Sequence, residues 1–198
     1  MKLDHTQPLE YSTKQNQLNI LGFWIFLGAE IMLFATLFAS YFTLEDRIGN
    51  GPSGGEIFGI TPVMIETILL LTSSFTIGLT VNAMRIGNKK AMLTFFVITL
   101  LLGLAFLGVE IYEFYHYVHV GAGLQTSAFT AILLTTLGTH GAHVTFGLFW
   151  GLFIVSQVKK RGITTETTNK SFIFSLYWHF LDVVWIFIFS FIYLKGMM

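Results

Sequence analysis

Ionisable side chains stand inside stretches that are otherwise oily, and their spacing invites chemistry. His140 and His143 are three residues apart, as are His179 and Asp182, so on a helix each pair shares one face. Contact within either pair is feasible, and an Asp held against a His fixes the imidazole tautomer. Such groups can ligate a metal or a haem or relay protons; equally, they can be hydrogen-bonded pairs that specify how helices pack. Glu110 and Glu113 pose the same choice. Two carboxyls one turn apart can bind a cation or share a proton, because close carboxylates are costly to ionise together. No Glu-x-x-His motif is visible on a second helix to complete a di-iron cage. Glu66 and His116 join Glu110 and Glu113 in an outer set, whereas Glu30, His140, His143, His179 and Asp182 fall near the middle of their apolar runs. Two polar layers are therefore expected. Glu30, between Ala29 and Ile31, is the most isolated of these groups. Burial there favours a neutral carboxyl, able to donate to a neighbouring helix or a lipid headgroup or to act as a proton site.

The elements that must carry these residues are set by composition. Of 198 residues 54% are hydrophobic, 21 are Phe and only 11% are charged. A soluble domain carries about 25% charged residues. A membrane-spanning helix needs about 20 mostly apolar residues, and five runs qualify, at about 20–43, 62–86, 91–118, 127–157 and 171–195. The expected fold class is all-α, an integral membrane bundle of five transmembrane helices. Residues 1–19 form a polar cytoplasmic amino-terminal segment and 20–198 the five-helix domain. The first apolar run is too long for a signal-peptide core and holds Glu30, so no cleaved leader is expected. Every Lys and Arg except Arg47 and Lys195 lies in the amino terminus (Lys2, Lys14), the second loop (Arg85, Lys89, Lys90) or the fourth loop with its flank (Lys159, Lys160, Arg161, Lys170). Positively charged loops stay in the cytoplasm, which puts the amino terminus inside and, after five spans, the carboxyl terminus outside.

Net charge is zero, which predicts no nucleic-acid partner. The absence of Cys excludes disulfides, iron–sulfur clusters, thiolate copper sites and covalently attached haem. The first loop, Gly49-Asn50-Gly51-Pro52-Ser53-Gly54-Gly55, is rich in turn formers, and Pro62 is placed to open the second span. Gly138, Gly141, Gly147 and Gly151 mark close helix approach on the fourth span. Trp24, Trp150, Trp178 and Trp185 read as packing or interfacial anchors rather than a cofactor box.

Three segments together resemble a known family. Leu21-Gly22-Phe23-Trp24-Ile25-Phe26-Leu27-Gly28-Ala29-Glu30-Ile31-Met32-Leu33-Phe34 is similar to the first shared helix of subunit III of haem-copper terminal oxidases. Gly138-Thr139-His140-Gly141-Ala142-His143-Val144-Thr145 and Tyr177-Trp178-His179-Phe180-Leu181-Asp182-Val183-Val184-Trp185 resemble its two other signatures, in the same order. Five spans and the run Val109-Glu110-Ile111-Tyr112-Glu113-Phe114 look most like the quinol oxidase branch of the aa3 and bo3 type.

The resemblance implies an accessory subunit without a redox centre in a proton-pumping bacterial quinol oxidase, an enzyme complex that oxidises menaquinol or ubiquinol and reduces oxygen to water. It implies no cofactor or metal in this chain, haems and copper in subunit I, bound phospholipid, subunits I, II and IV as partners, and a multi-pass place in the bacterial cell membrane. Family members with seven spans form two bundles around a V-shaped cleft; a five-span chain lacks one arm. By the same resemblance Glu30 aligns with the carboxylate that reacts with hydrophobic carbodiimides. Glu30, with His143 and Asp182 as candidate partners, is expected to support lipid binding, oxygen access or the stability of subunit I. Glu66, Glu110, Glu113, His140, His143, His179 and Asp182 complete the candidate lipid-binding or buried polar network. The alternatives are subunit III of a cytochrome c oxidase, a proton- or cation-coupled secondary transporter using Glu30, Glu110 and Glu113, and a stand-alone di-haem cytochrome.

Overall fold

Hydrophobicity that runs all round a helix, rather than along one stripe, is the mark of a membrane span. Five helices of this kind make up the chain. The structure, a computed structural model, describes residues 8–49 and 51–197; Lys2 and Asn50, used above, lie outside the described residues. After a single 3-10 turn, Leu9–Tyr11, the spans are α1 (Lys14–Leu44), α3 (Ile60–Arg85), α4 (Lys89–His119), α5 (Ala128–Arg161) and α6 (Thr165–Ile188). One further turn, α2 (Gly54–Ile57), lies in the first loop, and α6 runs on as a π-helical segment, Phe189–Leu194. All five spans are long and apolar enough to cross a bilayer, so this is a membrane protein.

Local chemistry sets the boundaries. The Thr13 side chain accepts the Asn16 amide and starts α1 six residues before the apolar run begins. Hydropathy misses that first turn because Lys14, Gln15, Asn16 and Gln17 are polar. Asn88 caps α4, and Ser127 with Thr130 and Thr164 with Thr167 form capping boxes on α5 and α6. Pro62 sits in the first turn of α3, two residues after its start, where its missing N–H breaks no helical bond. Gly162, with φ of 76°, ends α5 in the left-handed region that side chains avoid.

The polar amino-terminal stretch is docked on the bundle. Arg85 Nε donates to Glu10 Oε1 at 2.8 Å, with Glu10 only 1% exposed. Asn169 Nδ2 donates to the carbonyls of Glu10 (3.1 Å) and Asn16 (3.2 Å), and Asn16 Nδ2 to that of Thr165 (3.1 Å).

In the bundle α3 packs on α4, α4 on α5, α5 on α6 and α6 back on α3, while α1 lies outside against α5 and α6. The shared interior is aromatic: Trp178 stacks on Phe174, and Trp185 meets Phe106 edge-on at 4.8 Å. Gly103, Gly141, Gly147 and Gly151 are where neighbouring helices press closest. The outer surface is apolar too, with Ile25, Phe75, Ile111 and Phe149 each at least two-thirds exposed, as lipid contact requires.

Candidate functional site

The middle polar layer resolves into three separate environments rather than one network. In the first, α1 crosses α5 so that Glu30 Oε2 lies 3.0 Å from His143 Nε2. His143 Nδ1 donates to the Thr139 carbonyl at 2.6 Å, since a carbonyl can only accept. One proton is therefore left to share between Glu30 and Nε2, as a carboxyl donating to imidazole or as a carboxylate facing imidazolium; the pair is neutral overall in either form. Glu30, isolated along the sequence, is not isolated in space. Isolation in a sequence says nothing of what the crossing helix offers. Asp182 is not its partner. Phe34 packs on the His143 ring at 5.3 Å and lines an apolar groove of about 530 Å³ between α1 and α6, with Phe38, Phe180, Phe187 and Phe191.

The second environment holds His140 alone. Although His140 and His143 share a helix face, the turn between them is enough to send the two rings to different neighbours. His140 Nε2 donates to the Leu181 carbonyl at 3.1 Å, which leaves Nδ1 as a bare lone pair, buried and without a partner. Its ring sits between Phe106 and Trp185, with centroids 5.7 and 5.3 Å away.

In the third, His179 and Asp182 meet on α6, but a residue of α3 joins them. Ser74 Oγ lies 2.7 Å from His179 Nδ1, and Asp182 lines the same notch beside them. Sequence reasoning missed Ser74. It also missed that α3 supplies hydroxyls to both buried indoles of α6: Trp178 Nε1 donates to Ser73 at 2.9 Å and Trp185 Nε1 to Thr67 at 3.1 Å. The available signal was the run of small hydroxyl residues, Thr67, Ser73, Ser74, Thr76 and Thr80, inside one span.

The outer layer is a cluster of buried carboxyls. Glu66 on α3 interacts electrostatically with Glu113 and Glu110 on α4. Tyr117 and Tyr193 both donate to Glu113 Oε2, at 3.1 and 2.8 Å. Both Glu66 oxygens and Glu110 Oε1 have no partner among the described residues. Three such carboxyls cannot all be ionised in an apolar interior, so the cluster holds protons. Gly141 admits Glu110 against α5: a Cβ there would lie 2.6 Å from Glu110 Oε2. His116 is exposed beside this cluster, on a vestibule it lines with Glu113 and Tyr112.

These placements bear on what the site can do. Among the described residues no three His, Asp or Glu side chains gather where they could hold a metal ion. Two of the histidines do not fit haem ligation: His140 is packed between aromatic rings, and both nitrogens of His143 are engaged. Glu30 pairs with His143 on α1 and α5, whereas Glu110 and Glu113 belong to the α3–α4 cluster, so these three acids do not form one ion path.

The family model described as cytochrome c oxidase subunit III matches residues 5–197. The chain is 57% identical over 190 residues to the quinol oxidase subunit 3 of Bacillus spizizenii strain W23, covering 96% of this chain and 93% of that protein. Identity and coverage are the same for the quinol oxidase subunit 3 of Bacillus subtilis strain 168. Identity is 48% over 190 residues, 96% of this chain and 92% of that protein, for the cytochrome c oxidase subunit 3 of Bacillus sp. strain PS3.

Proposed function

The chain belongs to the cytochrome c oxidase subunit III family, and from that premise we propose that it is the non-redox accessory subunit of a bacterial quinol oxidase. The complex oxidises quinol, reduces oxygen to water and moves protons outward. Haems and copper lie in subunit I, and subunits II and IV complete the assembly. The observation that carries the donor is the 57% identity, over nearly the whole chain, to two proteins named for quinol, against 48% to one named for cytochrome c. A role without redox chemistry is supported by the packing of His140 between aromatic rings and the engagement of both nitrogens of His143.

The same reading gives the chain a stabilising and lipid-holding task in the cell membrane. The apolar groove between α1 and α6 suits an acyl chain, and Glu30 with His143 stands at its Phe34 end. The amino terminus faces the cytoplasm. Arg85, Lys89, Lys159, Lys160, Arg161 and Lys170 collect at the end of the bundle where Glu10 docks, and Lys89 Nζ donates to the Lys159 carbonyl there at 3.0 Å. The opposite end holds Lys195, paired with Glu45 at 2.5 Å.

The test is purification of the intact complex from native membrane, with oxygen uptake measured on quinol and on reduced cytochrome c. Turnover on quinol alone is expected. Turnover on cytochrome c and none on quinol would overturn the donor. Haem bound to the chain after it is stripped of its partners would overturn the accessory role.

A further inference from the structure

Ser74, His179 and Asp182 line a notch of about 410 Å³ on the outer surface of the bundle, between α3 and α6, with Leu71, Phe75 and Gly78 at its rim. We infer that this notch seats a membrane-spanning helix of a neighbouring oxidase subunit, one that presents a polar side chain to His179. The inference rests on the accessory-subunit reading above and adds the docking face to it.

The chemistry of the occupant follows from what the notch leaves unmatched. Asp182 is 7% exposed and its Oδ1 has no partner among the described residues. Ser74 Oγ and His179 Nδ1 satisfy one another across 2.7 Å, which leaves the second ring nitrogen, Nε2, with no hydrogen bond to any described residue. A polar nitrogen left unpaired in hydrocarbon costs free energy, so the occupant supplies a polar side chain.

Depth decides between a helix and a lipid. His179 stands midway along the Thr165–Leu194 span. At 1.5 Å per residue it is about 20 Å from either end, beyond the reach of a phospholipid headgroup, and an acyl tail has no polar group. The notch is also built for close approach: a Cβ on Gly78 would meet nothing within 4 Å, leaving open space where a second helix backbone can lie against α3.

Gly78→Leu tests this directly, because the Cβ it adds meets no atom of its own chain within 4 Å. Gly108→Leu on α4, equally open, is the matched control. Tagged variants are expressed with the whole oxidase and purified in mild detergent, and haem absorbance is read per tagged chain. Wild type and Gly108→Leu should retain haem, whereas Gly78→Leu should lose about tenfold, a change of about 1.4 kcal/mol. His179→Phe, which keeps a ring but removes its nitrogens, should also lower the retained haem. The chain has no Cys, so a benzophenone carried on Phe75→Cys should photo-crosslink to the haem-bearing subunit and one on Ile111→Cys should not. Haem retained by Gly78→Leu at the wild-type level overturns the docking face. So does loss of phospholipid alone, which would make the notch a lipid seat, or a crosslink to a second copy of this chain. Absence of haem from the wild-type preparation would instead sink the accessory-subunit reading.

Discussion

Removing the Glu30 carboxyl should destabilise the bundle by an amount that depends on what replaces it. His143 is committed through Nδ1 to the Thr139 carbonyl, so Nε2 has only Glu30 to satisfy it. The two side chains are 14% and 20% exposed, so lipid or stray water can replace the lost contact only in part. Leaving a buried polar group unpaired costs about 1–3 kcal/mol, which sets the range for Glu30→Ala. Glu30→Gln keeps a donor, because the amide N–H can point at Nε2; its cost should stay below about 0.5 kcal/mol, as for a hydrogen bond exchanged for one of similar strength. Pairwise coupling between helices in membranes averages about 0.6 and reaches about 1.7 kcal/mol. With no competing partner for Nε2, the Glu30→Ala, His143→Ala cycle should lie in the upper half of that range. The assay is SDS-titrated unfolding in mixed micelles, followed by helical circular dichroism, with haem content of the intact complex read alongside. Zero coupling, or Gln behaving like Ala, would refute the shared proton. Loss of haem in an assembled Glu30→Gln complex would refute the non-redox role.

Two further expectations concern the frame around these groups. Gly103→Ala places a Cβ 2.7 Å from the Trp178 ring, which is fixed by its bond to Ser73 and its stack on Phe174, so overpacking should cost about 1–3 kcal/mol; Gly108→Ala, in open space, should be neutral or gain up to about 1 kcal/mol, and thermal unfolding of the complex separates them. Arg85→Ala should leave Glu10 unpaired and release the amino-terminal turn, seen as faster amide exchange over Leu9–Tyr11 with α3 and α6 unchanged.

The spans were legible because twenty oily residues in water have no stable home, and the count survives errors at the ends. Boundaries were not. Lys14 to Gln17 are helical on account of Thr13, a signal that hydropathy averages away. The small turn at Gly54–Ile57 depends on Ser53 and Glu56 capping one another, where the sequence shows only a loop rich in turn formers. At the site, periodicity gave which residues share a helix face but not which helix they meet. His140 and His143, one turn apart, part company for Leu181 and Glu30. Ser74 carries no charge to draw notice, yet it is what His179 meets across the helices. Partners across helices are set by crossing geometry, and crossing geometry is written in the glycines and aromatics of several spans at once.

The π-helical stretch Phe189–Leu194 makes the carboxyl-terminal end of the last span a separately aimed piece. Each residue of an α-helix turns the chain by about 100°, so a wider turn resets the compass heading of everything beyond it. Upstream of the stretch, Trp185 and Ile188 point to the core; within it, Tyr193 swings in to hold Glu113 while Phe191 stays with the lipid-side groove. One loosened coil thus lets a single rod serve two unrelated neighbourhoods, and the helix could be re-phased at its far end without disturbing its middle.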